Sequence, residues 1–232
     1  MNYKNLTIIG TSHIAKESLE GVEKAIEDGK PDIIALELDS RRLYSLFRKP
    51  GKIRLYDIKR VGIKGFIFSL IGAWAEKKLG KMVGVAPGSE MKIAVRLAKK
   101  HNIQIALIDQ DIEITLRRFS KTLTWKEKWN FLVDIIKAIF ARKNVIEFDL
   151  TKVPSKKVIK KLVDKVKERY PNVYKVLIEE RNGVMANNLH KIMLEYPDKR
   201  ILAIIGAGHE DEILNLMKKP DVTYSFKISN KS

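Results

Sequence analysis

Four short apolar runs constrain the fold of this chain more than any other feature of its sequence. They cover residues 6–10, 32–38, 103–108 and 200–205, and each is nearly continuous in isoleucine, leucine and alanine. Continuous apolar strands are typical of a parallel sheet that helices bury on both faces, whereas half-exposed strands alternate apolar and polar residues. The runs therefore predict an α/β protein with a mainly parallel central sheet flanked by helices.

The segments between the runs carry helical patterns. We predict helices at 16–28, 40–47, 58–79, 89–100, 112–119, 125–141, 155–169, 173–195 and 210–217. The stretch from about 117 to 196 is almost all helix, and we interpret it as a helical insertion before the last core strand of a single domain, 1–232. An alternating run, "VTYSFKI" at 222–228, predicts an edge strand.

The chain of 232 residues contains no cysteine. This excludes disulfides, thiolate-bound zinc or iron–sulfur clusters and a cysteine nucleophile, so a metal ion would need histidine and carboxylate ligands. The N-terminus enters the first apolar run without a signal-peptide pattern, and we therefore expect a cytoplasmic protein. The sequence leaves the oligomeric state open, a homo-oligomer included.

The net charge of +17 is unevenly distributed. The segments 41–64, 117–143 and 152–169 carry +8, +6 and +6, so the rest of the chain is slightly acidic. Lysine-rich, solvated helix faces explain such segments, and a surface for anionic lipid or nucleic acid is the alternative. Nucleic acid is the weaker expectation because no interleaved aromatic residues form a stacking platform.

The most apolar stretch, "GFIFSLIGAWA" at 65–75, has eleven uncharged residues. A membrane-spanning helix needs about 20 such residues. We therefore expect a buried helix, with a helix lying on a membrane surface as the alternative that would make the protein peripheral to a membrane.

Two predicted strands end in the same Gly-x-x-His motif. "GTSH" ends in His13, "GAGH" ends in His209, and each motif leads into a predicted helix. The carboxyl ends of parallel strands share one edge of a sheet, where ligands bind in α/β proteins. We expect the two histidines to lie at that edge, as metal ligands or as structural side chains.

Acidic residues follow the other two core strands. Glu37 lies inside the apolar run "IIALELD", and Asp39 shares its face by the period of two. A carboxylate in such a place must be paired, hydrogen-bonded or bound to metal. Asp109 and Asp111 follow the third run, so they belong to the same predicted edge.

Three further polar residues are candidates. Glu180 and Arg181 share the apolar face of the helix in "VLIEERNGVMANNL" by four-residue spacing, which predicts a polar site or a buried ion pair. Glu90 falls in the first turn of a helix in "VAPGSEMKIA", where an acid complements the helix dipole.

These motifs together resemble the TraB family, which includes the PrgY pheromone-shutdown proteins and is distantly similar to Tiki metalloproteases and GumN-like proteins. The resemblance is carried in order by "GTSH", "PDIIALELDSRR", "PGSEM", "LIDQDIEITLRR", "EERNGVMANNL" and "GAGH". It implies a TraB-like domain whose site contains His13, Glu37 and His209, with Glu180 and Arg181 from the helix motif. The chain departs from the family pattern at Asn182, where an aspartate is frequent.

Two functions follow from these residues and the resemblance. The first is a metal-dependent, peptidase-like hydrolase in which His13, His209 and Glu37 bind manganese, cobalt or zinc, with Glu37 as a ligand or as general base. In that reading Arg181 holds a substrate carboxylate or an oxyanion, and Glu180 orients a histidine. The second is a non-catalytic protein that sequesters a peptide or a small acidic ligand in the same cleft, as a pheromone-shutdown protein would.

Overall fold

Four parallel strands and one short antiparallel strand form a single sheet in the computed structural model, which describes residues 1–12, 16–48, 88–140 and 155–218. The strands are β1 (Asn2–Tyr3), β2 (Leu6–Thr11), β3 (Ile33–Leu36), β4 (Gln104–Leu107) and β5 (Ile201–Gly206). Their order across the sheet is β1-β2-β5-β3-β4, with β1 antiparallel to β2. The predicted α/β class and mainly parallel sheet are confirmed.

The helices follow the predicted pattern closely. They are α1 (Lys16–Gly29), α2 (Ser40–Leu46), α3 (Ser89–Lys100), α4 (Ile112–Thr122), α5 (Trp125–Phe140), α6 (Lys156–Arg169), α7 (Pro171–Tyr174), α8 (Glu180–Glu195) and α9 (Glu210–Lys218). A π-helical segment, Lys175–Glu179, joins α7 to α8. The predicted helix 58–79, the apolar stretch 65–75 and the edge strand 222–228 lie outside the described residues.

Helices cover both faces of the sheet. Alternate residues of each strand point to opposite faces, so each strand contributes to both packing layers. On one face, Ile201, Ala203 and Ile205 of β5 pack with Met185 and Leu189 of α8. A second cluster on the other face joins β3 to α1 and α3 (Val22, Ile26, Ile34, Leu36, Met91, Ala94, Leu97). Because both faces of the strands are covered, both need apolar residues, which explains the continuous apolar runs. Full burial of a side chain such as Leu189 contributes about 1.5–3 kcal/mol.

The two strands that end in Gly-x-x-His are direct neighbours. In the parallel pair of β2 and β5, Gly10 lies opposite Ile205 and Thr11 opposite Gly206. The chain leaves β2 for α1, which packs on one face, and leaves β5 for α9, which packs on the other. In doubly wound sheets, such a divergence of connections marks the part of the carboxyl edge where ligands usually bind.

Helices α4 to α8 all lie between β4 and β5 in the chain, in the region predicted as a helical insertion. Helix α8 returns to the sheet and supplies part of its core, so α8 itself is integral to the fold. Among the described helices, none combines the length and apolar character that crossing a membrane requires.

Candidate functional site

Glu37 is the carboxylate at the centre of the sheet edge. Its backbone N–H donates to Ile204 O at 3.1 Å, which extends the pairing of β3 with β5 by one residue. Its side chain is only 3% exposed. One carboxylate oxygen, Oε2, accepts a hydrogen bond from Gly206 N, and the other, Oε1, accepts one from Arg181 Nη2. The backbone therefore fixes Glu37 at the edge, and both of its oxygens are engaged.

Arg181 joins the ends of two strands. From α8 it donates to both oxygens of Asp109, with Nε–Oδ1 at 3.0 Å and Nη2–Oδ2 at 2.6 Å, while Nη2 also contacts Glu37. Its Nη1 donates to Leu177 O at 3.1 Å, in the π-helical segment that precedes α8. π-helical turns are frequent at functional sites. The guanidinium is thus a buried bridge between two carboxylates.

Arg42 and Asp39 extend this network away from the strands. Arg42 donates to Asp109 through Nη2 and to Asp39 Oδ2 through Nε at 2.6 Å. Asp39 also accepts the backbone N–H groups of Arg41 and Arg42, at 2.8 and 3.1 Å, and so caps the N-terminus of α2. Two arginines and three carboxylates alternate along the edge.

Both inner carboxyls remain ionised because their partners outweigh burial. Burial alone raises the pKa of Asp109, but the hydrogen bonds and charge of Arg181, joined by Arg42, hold that pKa below its ordinary value of 3.8. Burial likewise raises the pKa of Glu37. The imidazole of His209, when it is protonated, and the guanidinium of Arg181 reverse this and keep the pKa of Glu37 below 4.5. The site is therefore charged at neutral pH.

His209 faces Glu37 and is held from behind by Asn182. Its Nε2 lies 3.5 Å from Glu37 Oε1 and 3.5 Å from Arg181 Nη1, and its Nδ1 lies 2.6 Å from Asn182 Oδ1. Asn182 is fully buried, and its Nδ2 donates to Glu212 Oε2 at 2.8 Å. Because a carboxylate accepts hydrogen bonds, this contact directs the amide oxygen toward His209.

The orientation of Asn182 selects the tautomer of His209. An amide oxygen accepts only, so Nδ1 of His209 carries the proton and Nε2 of the neutral ring presents a lone pair to Glu37 and Arg181. Tyr174 OH also donates to Glu212 Oε2, at 3.2 Å. Burial and the adjacent Glu212 raise the pKa of Tyr174 to about 12, so Tyr174 remains a donor.

The described site contains two adjacent groups of the kinds that bind divalent cations. An unprotonated imidazole nitrogen and a carboxylate oxygen stand side by side, and histidine ligands of metals commonly donate their other N–H to an oxygen acceptor, as His209 does. The three carboxylates of Glu37, Asp39 and Asp109 exceed the two guanidiniums by one negative charge. Within the described ranges no group of three or more histidine or acidic side chains has metal-binding geometry, and His13 lies outside those ranges.

The remaining predicted residues have other partners. Asp111 caps α4 by accepting Glu113 N at 2.7 Å. Glu180 forms a bidentate pair with Arg118, at 2.6 Å for both bonds, and does not contact His209 in any described hydrogen bond. Glu90 is fully buried in the first turn of α3. Of the sequence candidates, the structure therefore brings together Glu37, Asp39, Asp109, Arg181 and His209.

The sequence does not single out three members of this network: Arg42, Asn182 and Glu212. Arg42 stands in the motif "LELDSRR", three residues after Asp39, which is a spacing that lets two residues meet on one helix. Asn182 stands out in the sequence only as a departure from the family pattern. Its role depends on Glu212, 30 residues away in the chain, and no local pattern links the two.

Gly10 allows the two Gly-x-x-His loops to approach each other. A Cβ atom at this position would lie 2.8 Å from Glu210 Oε2 and 3.1 Å from Ala207 Cα. The approach is fixed by Ala207 N, which donates to Thr11 O at 2.8 Å. A side chain at residue 10 would therefore push the start of α9 away from the end of β2.

Comparisons with known proteins show which family the chain belongs to. The model of the family described as TraB/PrgY/gumN matches residues 2–225. The chain is 37% identical over 227 residues to an uncharacterized protein of Methanocaldococcus jannaschii, covering 94% of this chain and 55% of that protein. It is 19% identical to TraB domain-containing proteins of Mus musculus and Homo sapiens, covering 87% of this chain and 60% of each. The chain thus spans somewhat more than half the length of the curated relatives it matches.

Proposed function

We propose that this chain, which belongs to the TraB/PrgY/gumN family, is a metal-dependent hydrolase of the peptidase type. The observation that carries the proposal is the placement of His209 Nε2 beside Glu37 Oε1, 3.5 Å apart, with the ring tautomer set by Asn182. The imidazole nitrogen and the carboxylate oxygen are two adjacent ligands for a metal ion, which would share Glu37 Oε1 with the guanidinium of Arg181.

Glu37 and His209 would hold the ion, together with His13 from the second Gly-x-x-His motif. The pairing of β2 with β5 supports this set, because it makes the two motifs neighbours at the sheet edge. Two imidazoles and one carboxylate suit zinc, manganese or cobalt. A bound ion of this kind supplies Lewis acidity for hydrolysis of a peptide carbonyl.

The contacts favour Glu37 as a ligand over Glu37 as a general base. An efficient general base has a pKa near the working pH; burial raises the pKa of Glu37, but Arg181 and the Gly206 N–H favour its ionised form, which weakens it as a base. Arg181 neutralises and orients Glu37 and Asp109, and these contacts, together with the one to Leu177 O, engage both of its terminal nitrogens. We therefore assign Arg181 to positioning the site rather than to holding a substrate carboxylate.

The acidic balance of the network argues against the sequestering alternative. An anionic ligand would enter a site that already holds one more carboxylate than guanidinium, which like-charge repulsion opposes. A peptide that binds here needs a neutral or cationic group next to the network.

The test is calorimetric titration of the purified chain with zinc, manganese and cobalt, followed by peptide cleavage assays with and without chelator. We expect stoichiometric binding that His13→Ala, His209→Ala and Glu37→Gln each weaken by more than the roughly 10–100-fold typical of outer contacts. His101→Ala is the matched control. His101 follows the last residue of α3 and pairs with Glu27 of α1, whereas the candidate site lies at the carboxyl ends of the strands. Metal binding that survives all three site substitutions would refute the site, and peptide binding without metal or cleavage would support sequestration.

A further inference from the structure

Two tryptophans on α5 are exposed far more than large aromatic side chains usually are. Trp125 is 83% exposed and Trp129 is 67% exposed. They are four residues apart on one helix, so they lie on the same face, one turn from each other. Contiguous exposed apolar surface of this kind marks an interaction site.

Basic side chains surround these tryptophans. Lys126 is exposed one residue from Trp125 and one turn from Trp129, and Lys121 is exposed in the last turn of α4, at the junction with α5. Lys128 Nζ lies 4.1 Å from the centre of the Trp125 ring. We call Lys121, Trp125, Lys126 and Trp129 the tryptophan face.

The acidic residues near this face are engaged with the protein. Glu113 pairs with Arg41, and Asp134 pairs with Arg169 at 2.5 Å. Glu127 is 2% exposed and accepts hydrogen bonds from Thr124 and Asn172. Among the described charged residues from 112 to 134, the most exposed are therefore all positive (Arg117, Arg118, Lys121 and Lys126).

We propose that the tryptophan face docks this protein on the surface of an anionic lipid bilayer. Tryptophan prefers the headgroup level of a membrane, where its ring is buried and its N–H stays hydrated. Lysines beside it extend to anionic headgroups while their stems cover apolar surface. The net charge of +17 adds a long-range attraction to the same kind of surface.

The charge of the face also selects among occupants. A symmetric contact with a second copy would place the lysines of one copy against those of the other, which repels. A bilayer has no such conflict, and docking on its surface requires no spanning helix.

The test is co-sedimentation of the full chain with vesicles of phosphatidylcholine alone and of phosphatidylcholine with phosphatidylglycerol. We expect binding to the anionic vesicles, little binding to the neutral ones, and weakening at high salt. Trp125→Ala/Trp129→Ala should lower the partition coefficient at least about tenfold. Lys121→Gln/Lys126→Gln should lower it about 30-fold, because each lysine near a membrane surface contributes about a fivefold factor.

Two matched variants serve as controls. Lys157→Gln/Lys160→Gln removes two exposed lysines from α6, and Leu194→Ala removes an exposed apolar side chain from α8; both should keep wild-type binding. Vesicle binding that is absent, or equal in all variants, would overturn the proposal. If vesicles do not bind, a change from dimer to monomer in Trp125→Ala/Trp129→Ala would identify a second copy as the occupant of the face. Loss of oligonucleotide binding in that variant would identify nucleic acid as the occupant. Either result would overturn the proposal.

Discussion

Replacing Arg181 by methionine is the sharpest test of the buried network. Methionine keeps much of the side-chain volume but removes the charge that Glu37 and Asp109 share. These two carboxylates are 3% and 0% exposed in their side chains, so water cannot replace the guanidinium. Removing one partner of a buried ion pair typically costs about 3–5 kcal/mol, and we expect the free energy of unfolding at pH 7 to fall by that amount.

The loss should depend on pH, with a sign that is set by the pKa values. In the wild type the pKa values of Glu37 and Asp109 lie below 4.5 and 3.8, so their stabilisation is present at neutral pH and is lost as the pH falls through those lowered values. Without Arg181, burial would raise both pKa values, and the variant would gain stability as the two acids take up protons. The difference between the two proteins should therefore narrow between pH 7 and pH 3.

Urea denaturation at pH 7, 5 and 3, followed by far-UV circular dichroism, measures this difference. Arg118→Met is the matched control, because Arg118 forms an equally short bidentate pair with Glu180 but is 50% exposed. Exposed ion pairs contribute little, so the control should change stability far less. Equal losses in the two variants, or a loss in Arg181→Met that does not vary with pH, would refute the burial argument.

Three other substitutions test single contacts by the same measurement. Asn182→Asp should destabilise the fold by about 1–3 kcal/mol because it loses the donor to Glu212. The double variant Asn182→Asp/Glu212→Gln should restore much of the lost stability. No recovery would mean that the two residues are not coupled. Gly10→Ala should cost about 1–3 kcal/mol through contact with the start of α9, whereas Gly21→Ala on α1, which meets nothing within 4 Å, should stabilise by about 0.5–1 kcal/mol. Glu127→Gln should cost about 1–2 kcal/mol at pH 7 through its hydrogen bonds. The pKa of Glu127 is lowered in the folded protein, so the stabilisation from its carboxylate is lost as the pH falls through that lowered value. The cost of Glu127→Gln should therefore disappear at acid pH. An equal cost at pH 3 would contradict this reasoning.

The strands were predictable because their cause is local. A run such as 200–205 must be buried on both sides whatever its neighbours are, and its composition says so. The order of the strands was not predictable in this way. That β5 lies between β2 and β3 depends on contacts between residues nearly 200 positions apart, and the two-residue strand β1 is too short to carry a pattern.

The site was predictable to the extent that it depends on the strand ends. Glu37, Asp109 and His209 come directly after parallel strands, and parallel strands end at one edge. The helix that carries Glu180 and Arg181 was harder to predict. The four-residue step that places Glu180 on the apolar face starts from Val176. Val176 lies in the π-helical segment, where hydrogen bonds span five residues. The helical phase of α8 is therefore shifted relative to the positions counted from Val176. Arg181 faces the site, whereas Glu180 pairs with Arg118 on the exposed side.

The molecule carries a net positive charge, whereas the carboxylates of the candidate site outnumber its guanidiniums. The two charged regions are far enough apart to interact with their surroundings independently. Helix α4 leads from Asp111, two residues after Asp109 at the sheet edge, to Lys121 on the tryptophan face, over eleven residues or about 16 Å. Electrostatic interactions through water are screened within about 8 Å at physiological salt. The two proposals are therefore compatible, because a basic surface at this distance does not reverse the charge preference of the acidic network. In our two proposals, the exposed lysines of the tryptophan face act in docking, and the buried carboxylates of the sheet edge act on the ligand of the site.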